Sequence, residues 1–276
     1  MSGKLRTFSI ATAFSVGILS PVYAAAAEVN DFNGQWGKST TAGGTADIVD
    51  LTGQGGNLEN NAPLPTGVLK MTTTVNEDKV DVSRSLGNTT VSDIFNNDIR
   101  FSYSLFKEDT ADDFSAPALK LGFFNQAVSD AGNDGFVQLI FEPTWNISGF
   151  EGSSSAVPTG DWLTFDIGFD NGLFWNTGGF GQNNSGGGPP LNTLSGWLGD
   201  FDQEFEDASL IGLGVGQGSF NPNTVAYVDD VNASFNNQQV ASADFEVAQV
   251  PTPATLLLLI SGLLGLGAIH RLRVVH

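Results

Sequence analysis

The chain contains no cysteine, only two histidines, and only 11 lysines and arginines in 276 residues. Both histidines, His270 and His276, sit at the extreme C-terminus. With no cysteine there are no disulfides, thiol nucleophiles or thiolate metal sites. With no histidine in the body of the chain, serine–histidine triads and histidine-bound zinc or haem are excluded as well. No phosphate-binding Gly-x-x-x-x-Gly-Lys loop occurs, and no Gly-rich dinucleotide fingerprint lies between a strand and a helix. The run Gly212, Gly214, Gly216, Gly218 reads instead as a strand with small residues on one face.

Positive charge is scarcest where negative charge is concentrated. All 30 acidic residues lie between residues 28 and 248, against seven basic ones, an excess of 23 negative charges. A nucleic-acid partner is excluded on that balance, because phosphate contacts need lysine and arginine. Affinity for cations, or plain solubility, fits it.

The two ends differ from this acidic body. Residues 1–27 read as a secretion signal. Lys4 and Arg6 form a basic start, Phe8 to Val22 is mostly apolar, and small residues follow at Ala24 to Ala27. Residues 249–276 hold Val250-Pro251-Thr252-Pro253, an uncharged stretch from Ala254 to Ile269, then Arg271 and Arg273. The proline pair breaks any arriving helix. The apolar stretch predicts a single C-terminal transmembrane helix with its basic end in the cytoplasm and the acidic body outside.

That three-part tail resembles the PEP-CTERM sorting signal, with Thr252 standing where the family usually has glutamate. The resemblance implies a Gram-negative bacterium, an exosortase-type membrane processing enzyme as partner, and delivery to the cell surface or extracellular matrix. It covers only the tail.

Residues 28–248 are rich in short β-forming runs separated by Gly, Asn and Asp clusters. Strands are expected at Val68–Val75, Lys79–Arg84, Ile99–Phe106, Leu119–Phe124, Phe136–Phe141, Trp162–Phe169, Ser209–Val215 and Val225–Phe235, with a hairpin turn at Asn76-Glu77-Asp78. The pattern predicts an all-β, antiparallel two-sheet sandwich, jelly-roll-like. Strict alternation in the last run turns Val225, Tyr227, Val231, Ala233 and Phe235 inward and puts Asp229 on the same side. A buried carboxylate must be paired, hydrogen-bonded or metal-bound, unless a bulge swaps the phase.

The Val228-Asp229-Asp230-Val231 segment, with Glu28 to Trp36 as an early aromatic–acid segment, loosely resembles jelly-roll carbohydrate-binding modules. The resemblance implies a structural calcium, with Asp31, Asp229 and Asp230 as ligand candidates beside backbone carbonyls. Trp175 and Trp197, each near Gly and Asn or Asp, are the candidate sugar platforms; Trp162, Phe165 and Phe169 read as core. Trp175 opens a long Gly/Asn-rich stretch, Asn171 to Pro190. The surviving enzymatic route is a carboxylate pair acting on a glycoside, with Glu142, Glu151, Glu204 and Glu206 as candidates. The expectation is a non-catalytic surface or matrix protein that binds polysaccharide or supports extracellular polymer and biofilm assembly. The alternatives are a structural protein without a ligand and a carboxylate-pair glycosidase.

Overall fold

The computed structural model describes residues 26–248 except 97, 110–111 and 149–152. The leader through residue 25, the sorting motif Val250 to Pro253 with its expected membrane helix, and Glu151 lie outside the described residues. Among the described residues no helix is long and apolar enough to cross a membrane.

The strands are β1 (Glu28–Val29), β2 (Trp36–Thr41), β3 (Thr45–Asp50), β4 (Gly67–Thr73), β5 (Lys79–Thr90), β6 (Arg100–Lys107), β7 (Ala118–Phe124), β8 (Phe136–Phe141), β9 (Trp162–Gly168), β10 (Trp175–Asn176), β11 (Ser209–Gln217), β12 (Thr224–Phe235) and β13 (Gln238–Phe245). In the first sheet β12 is the hub. It pairs with β6 on one side; on the other it pairs with β4 along its first half and β13 along its second. β9 extends β6, β3 extends β4, and β1 joins β13 in parallel. The second sheet runs β10-β8-β7-β11-β5-β2. The row β4-β12-β6-β9 thus faces β5-β11-β7-β8, which is the jelly-roll arrangement. All eight expected strands are present, and they are the eight of these two rows.

Alternation builds the core. Ile99, just before β6, and Phe101, Tyr103 and Leu105 of β6 are fully buried, while Arg100 is exposed. Each such side chain contributes roughly 1.5–3 kcal/mol on burial. Phe95, Phe123 and Phe205 meet edge to face at one end of the core, with centroids 4.7–5.8 Å apart. A smaller cluster of Leu51, Val68, Phe106 and Tyr227 lies apart from the main core, packed against Leu58 of the short helix Gly56–Asn60.

The expected hairpin at residues 76–78 is not one. β4 and β5 lie in opposite sheets, so the turn is an arch across the sandwich. A second arch, β2 to β3, crosses beside it. Asp78 fastens the two together. Its Oδ2 accepts from Thr74 N at 2.7 Å and Val75 N at 3.0 Å; its Oδ1 accepts from Gly43 N of the second arch at 2.7 Å. Gly44 has no room for a side chain, since a Cβ there would run into Lys79 O.

The N–H groups of Thr74, Val75 and Gly43 hold the Asp78 carboxyl below the ordinary aspartate range. Its stabilisation is complete above the unfolded-chain value of about 3.9 and is lost as pH falls through the lower native value. Asp78→Ala should therefore lower Tm at pH 7, with the gap to the native chain closing as pH drops below 4. Thermal melts followed by circular dichroism check this; a gap independent of pH would contradict it.

Candidate functional site

On the outer face of the second sheet, the central strand has almost no side chains. β11 turns Leu213 and Val215 into the core and Gly212, Gly214 and Gly216 outward. Beside them lie Ser83, Ser85 and Asp81 of β5 and Gly122, Lys120 and Ala118 of β7. The result is a trough along β11. Lys120 Nζ reaches over the strand to Asp81 Oδ1, at 2.5 Å. Only glycine permits that bridge, because a Cβ on Gly216 would collide with the Asp81 carboxylate and with Val80 O.

The ion pair divides the trough into two stretches. One, of about 400 Å³, runs past Ser83, Ser85, Phe136 and Gln138. The other, of about 450 Å³, is walled by Lys79, Glu142, Trp175, Asn184, Phe220 and Asn221. Trp175 arrives on β10 opposite Ile140, and Asn184, Gly186 and Gly187 come from the Gly/Asn-rich stretch that follows it. Burial pushes the Glu142 carboxyl up, against a hydrogen bond from Trp145 Nε1 at 3.1 Å and the charge of Lys120. The Trp175 indole N–H also acts on this carboxyl, but it has no acceptor in full hydrogen-bond geometry and is buried.

Phe220 closes the far end, 78 % exposed and at φ 67°. A bulky residue in the left-handed region is a genuine outlier, and such strain gathers at functional sites. Its N–H donates to Asn76 O at 2.8 Å, which ties the loop to the β4–β5 arch. Sequence reasoning missed Phe220. The available signal was an aromatic set inside the turn Ser219-Phe220-Asn221-Pro222-Asn223.

Trp197 is no platform. It is 4 % exposed, donates from Nε1 to Phe174 O at 2.9 Å, and packs on Phe201. The helix Leu194–Asp200 turns it inward, a placement that composition around the residue does not report. Trp175 alone of the two candidates lines the cleft.

The acidic candidates separate. β12 does bulge between Asp229 and Asn232, with Asp230 at φ 51°. The phase swap moves Tyr227 from the main core into the smaller cluster, with Val225 packed against it. Asp229 stays fully buried even so. Its Oδ1 accepts one long bond from Phe245 N at 3.3 Å, and its Oδ2 has no partner. Burial, with Asp244 and Asp230 adding repulsion, pushes its carboxyl up to about 8. Asp244 of β13 has a buried, unpartnered Oδ1, and burial together with Glu246 and Glu28 pushes it to about 6. Asp230 accepts from Asn232 Nδ2 at 2.7 Å. Asp31 is not part of this group: its carboxylate accepts from Asn33 N, and no interaction among the described residues joins it to Asp229 or Asp230. Asp244, on a strand the alternation analysis does not register, stands where Asp31 was expected.

No family model and no curated protein matches this chain. Solved structures resemble it at low identity. A family 11 carbohydrate-binding module of a Clostridium thermocellum cellulase shares 11 % identity at TM-score 0.38, over 80 % of this chain and 97 % of that one. A family 30 carbohydrate-binding module shares 13 % at TM-score 0.38, over 86 % and 91 %. A β-1,2-glucanase from Parabacteroides distasonis shares 11 % at TM-score 0.34, over 79 % and 24 %. At these scores the likenesses add nothing to the topology read from the strand order.

If the bare strand keeps the bridge closed, Gly216→Ala should destabilise the protein by about 1–3 kcal/mol, the usual cost of overpacking. Gly218→Ala, with open space around its Cβ, should stay within about 0.5 kcal/mol of the native chain. Urea denaturation of both variants decides it; equal midpoints would refute the packing argument.

Proposed function

We propose that this chain is an exported, non-catalytic protein that holds polysaccharide in the β11 cleft, at the surface or in the extracellular polymer of a Gram-negative bacterium. The observation that carries the binding role is the pairing of Trp175 and Phe220 across a polar trough. Sugar rings have an apolar face and a hydroxyl edge. Such a ring stacks on an aromatic while its hydroxyls meet Gln138, Asn184, Asn221 and the Asp81–Lys120 pair. Export and surface delivery rest on the leader, residues 1–27, and on the tail with Val250, Pro251, Thr252 and Pro253. An exosortase-type enzyme would process that tail, and its apolar helix would hold the chain in the membrane until then.

A glycosidase reading is less well supported. Asp81 and Glu142 are the acids that line the cleft. Asp81 faces Gly216, Gly216 faces Ala118, and Glu142 follows the β8 residue that faces Leu119. Three strand spacings of about 4.8 Å separate the two backbones, roughly 14 Å. Backbones that far apart bring two carboxyls to the roughly 5–9.5 Å of a working pair only if both side chains extend toward each other, and Asp81 is already committed to Lys120.

A structural calcium belongs to the same proposal, with Asp229 and Asp244 as its carboxylate ligands. Two buried, unpartnered carboxylate oxygens suit a hard cation. Among the described residues no three acidic side chains converge on one metal position. Backbone carbonyls and water would therefore supply the remaining oxygens. The ion would neutralise charge between β12 and β13 and stabilise the fold, and the cleft chemistry would not pass through it.

Two measurements follow. Trp175→Ala and Phe220→Ala should each weaken binding to whichever glycan an array identifies by about tenfold, the worth of one stacking contact, with Tm unchanged for Phe220→Ala; full binding by both variants would remove the cleft from the reading. Calcium at a hundredfold excess over Kd should raise Tm by roughly 5 °C above an EDTA control at pH 7.5. Asp229→Asn should abolish that rise; the same Tm with and without calcium would end the metal assignment.

A further inference from the structure

We infer that Asp78 is the residue that positions the Phe220 platform, although it does not itself line the trough. This rests on the polysaccharide reading of the cleft and adds a residue that sets the site from outside it. An exposed ring owes its place to its backbone. Phe220 is 78 % exposed, so packing contributes little to where it stands. Two hydrogen bonds tie its loop to the β4–β5 side. Phe220 N–H donates to Asn76 O at 2.8 Å, and Thr73 Oγ1 donates to Asn221 O. Within the loop, Asn221 Nδ2 donates to Gly218 O at 3.1 Å, and Thr224 Oγ1 donates to Pro222 O at 3.2 Å. The loop is thus braced internally and hung on two points, and both belong to one short stretch, Thr73 to Asn76.

That stretch is what the Asp78 carboxylate closes. Its Oδ2 takes the N–H groups of Thr74 and Val75, which lie between the two points. The Asp78 N–H returns to Val75 O at 3.1 Å, so Asn76 and Glu77 form the tip of a closed ring. Oδ1 pins that ring to Gly43 of the neighbouring arch. The Asn76 carbonyl is thereby aimed at Phe220. The backbone of Phe220, at φ 67°, makes the tie necessary. A bulky residue leaves the left-handed region unless its surroundings hold it there. Removing the carboxylate frees Thr74 and Val75, releases the Asn76 carbonyl and lets Phe220 relax toward negative φ. The ring then leaves the place where a sugar would stack.

The test uses the full-length chain in neutral detergent and two readouts. The first needs no ligand: hydrogen exchange at the Phe220 amide, with Leu213 of the central strand as reference. Asp78→Asn, which keeps the volume and one acceptor oxygen, should speed exchange at Phe220 by about tenfold and leave Leu213 near its native rate. Equal acceleration at both amides, or none at Phe220, overturns the positioning role. The second readout is titration calorimetry with mixed-linkage glucan, xyloglucan and laminarin. Asp78→Asn should weaken binding of whichever of these binds by up to about tenfold, the whole worth of the Phe220 contact. The loss should vanish in the Phe220→Ala background and persist in the Trp175→Ala background. Thr73→Val removes the second tie and keeps the shape of a buried residue. It should give a smaller loss with the same pattern, and it decides the matter if Asp78→Asn does not fold. The same loss in both backgrounds overturns the proposal and leaves the polysaccharide reading standing. Binding of none of the three, nor of a wider array, overturns the polysaccharide reading, while the exchange result still decides what Asp78 holds.

Discussion

The site depends on a strand that has given up its outward side chains. An ordinary strand projects a residue every second position on each face. β11 keeps that rule inward, with Leu213 and Val215, and suspends it outward with Gly212, Gly214 and Gly216. Glycine in a strand interior costs packing and entropy. Here it leaves a channel one side chain deep at the middle of a sheet, where Lys120 and Asp81 meet across a strand that would normally keep them apart. Trp175 and Phe220 stand at the border of that channel because the neighbouring loops close over its end and not over its floor.

Carboxylates of one residue type show how local donors decide protonation. Asp78 is buried and has three backbone N–H groups, so it stays ionised and binds two arches. Asp229 is buried with one long bond, so its proton is held far more tightly. Depth and donors both separate them: burial is the leading cause at Asp229 and the least at Asp78, where three N–H groups converge. The arch delivers several amides to one point because its backbone turns. The flank of a strand bulge delivers few.

Much of the fold was legible because period-two alternation is a local signal. Residues 99–105 declare their two faces without any partner; β12 does not, because a bulge reverses its phase midway. β2 was invisible because it lies at a sheet edge and buries only Trp36, so its remaining residues are polar on both sides. The turn at 76–78 was recognised, but its role was misread: a turn between two strands looks the same whether they pair or pass into opposite sheets. At the site, Trp175 was found and Trp197 misplaced, because flanking Gly and Asn say that a loop is near and not which way the ring faces. Phe220 went unnoticed because its importance lies in a backbone angle. Asp244 went unnoticed because β13, made mostly of polar and small residues, carries little alternation to mark it as a strand.

β1 lies parallel beside β13, with Glu28 aligned to Asp244 and Val29 to Phe245. The described body is therefore entered and left at neighbouring points on one border of the first sheet, while the trough opens on the other sheet. Anything joined at either end, a tether or an engineered fusion, sits behind the body with the hydrophobic layer between. Copies fixed side by side by their ends would all turn their troughs toward the far side, and a single long polymer could then run across many of them as a shared rail.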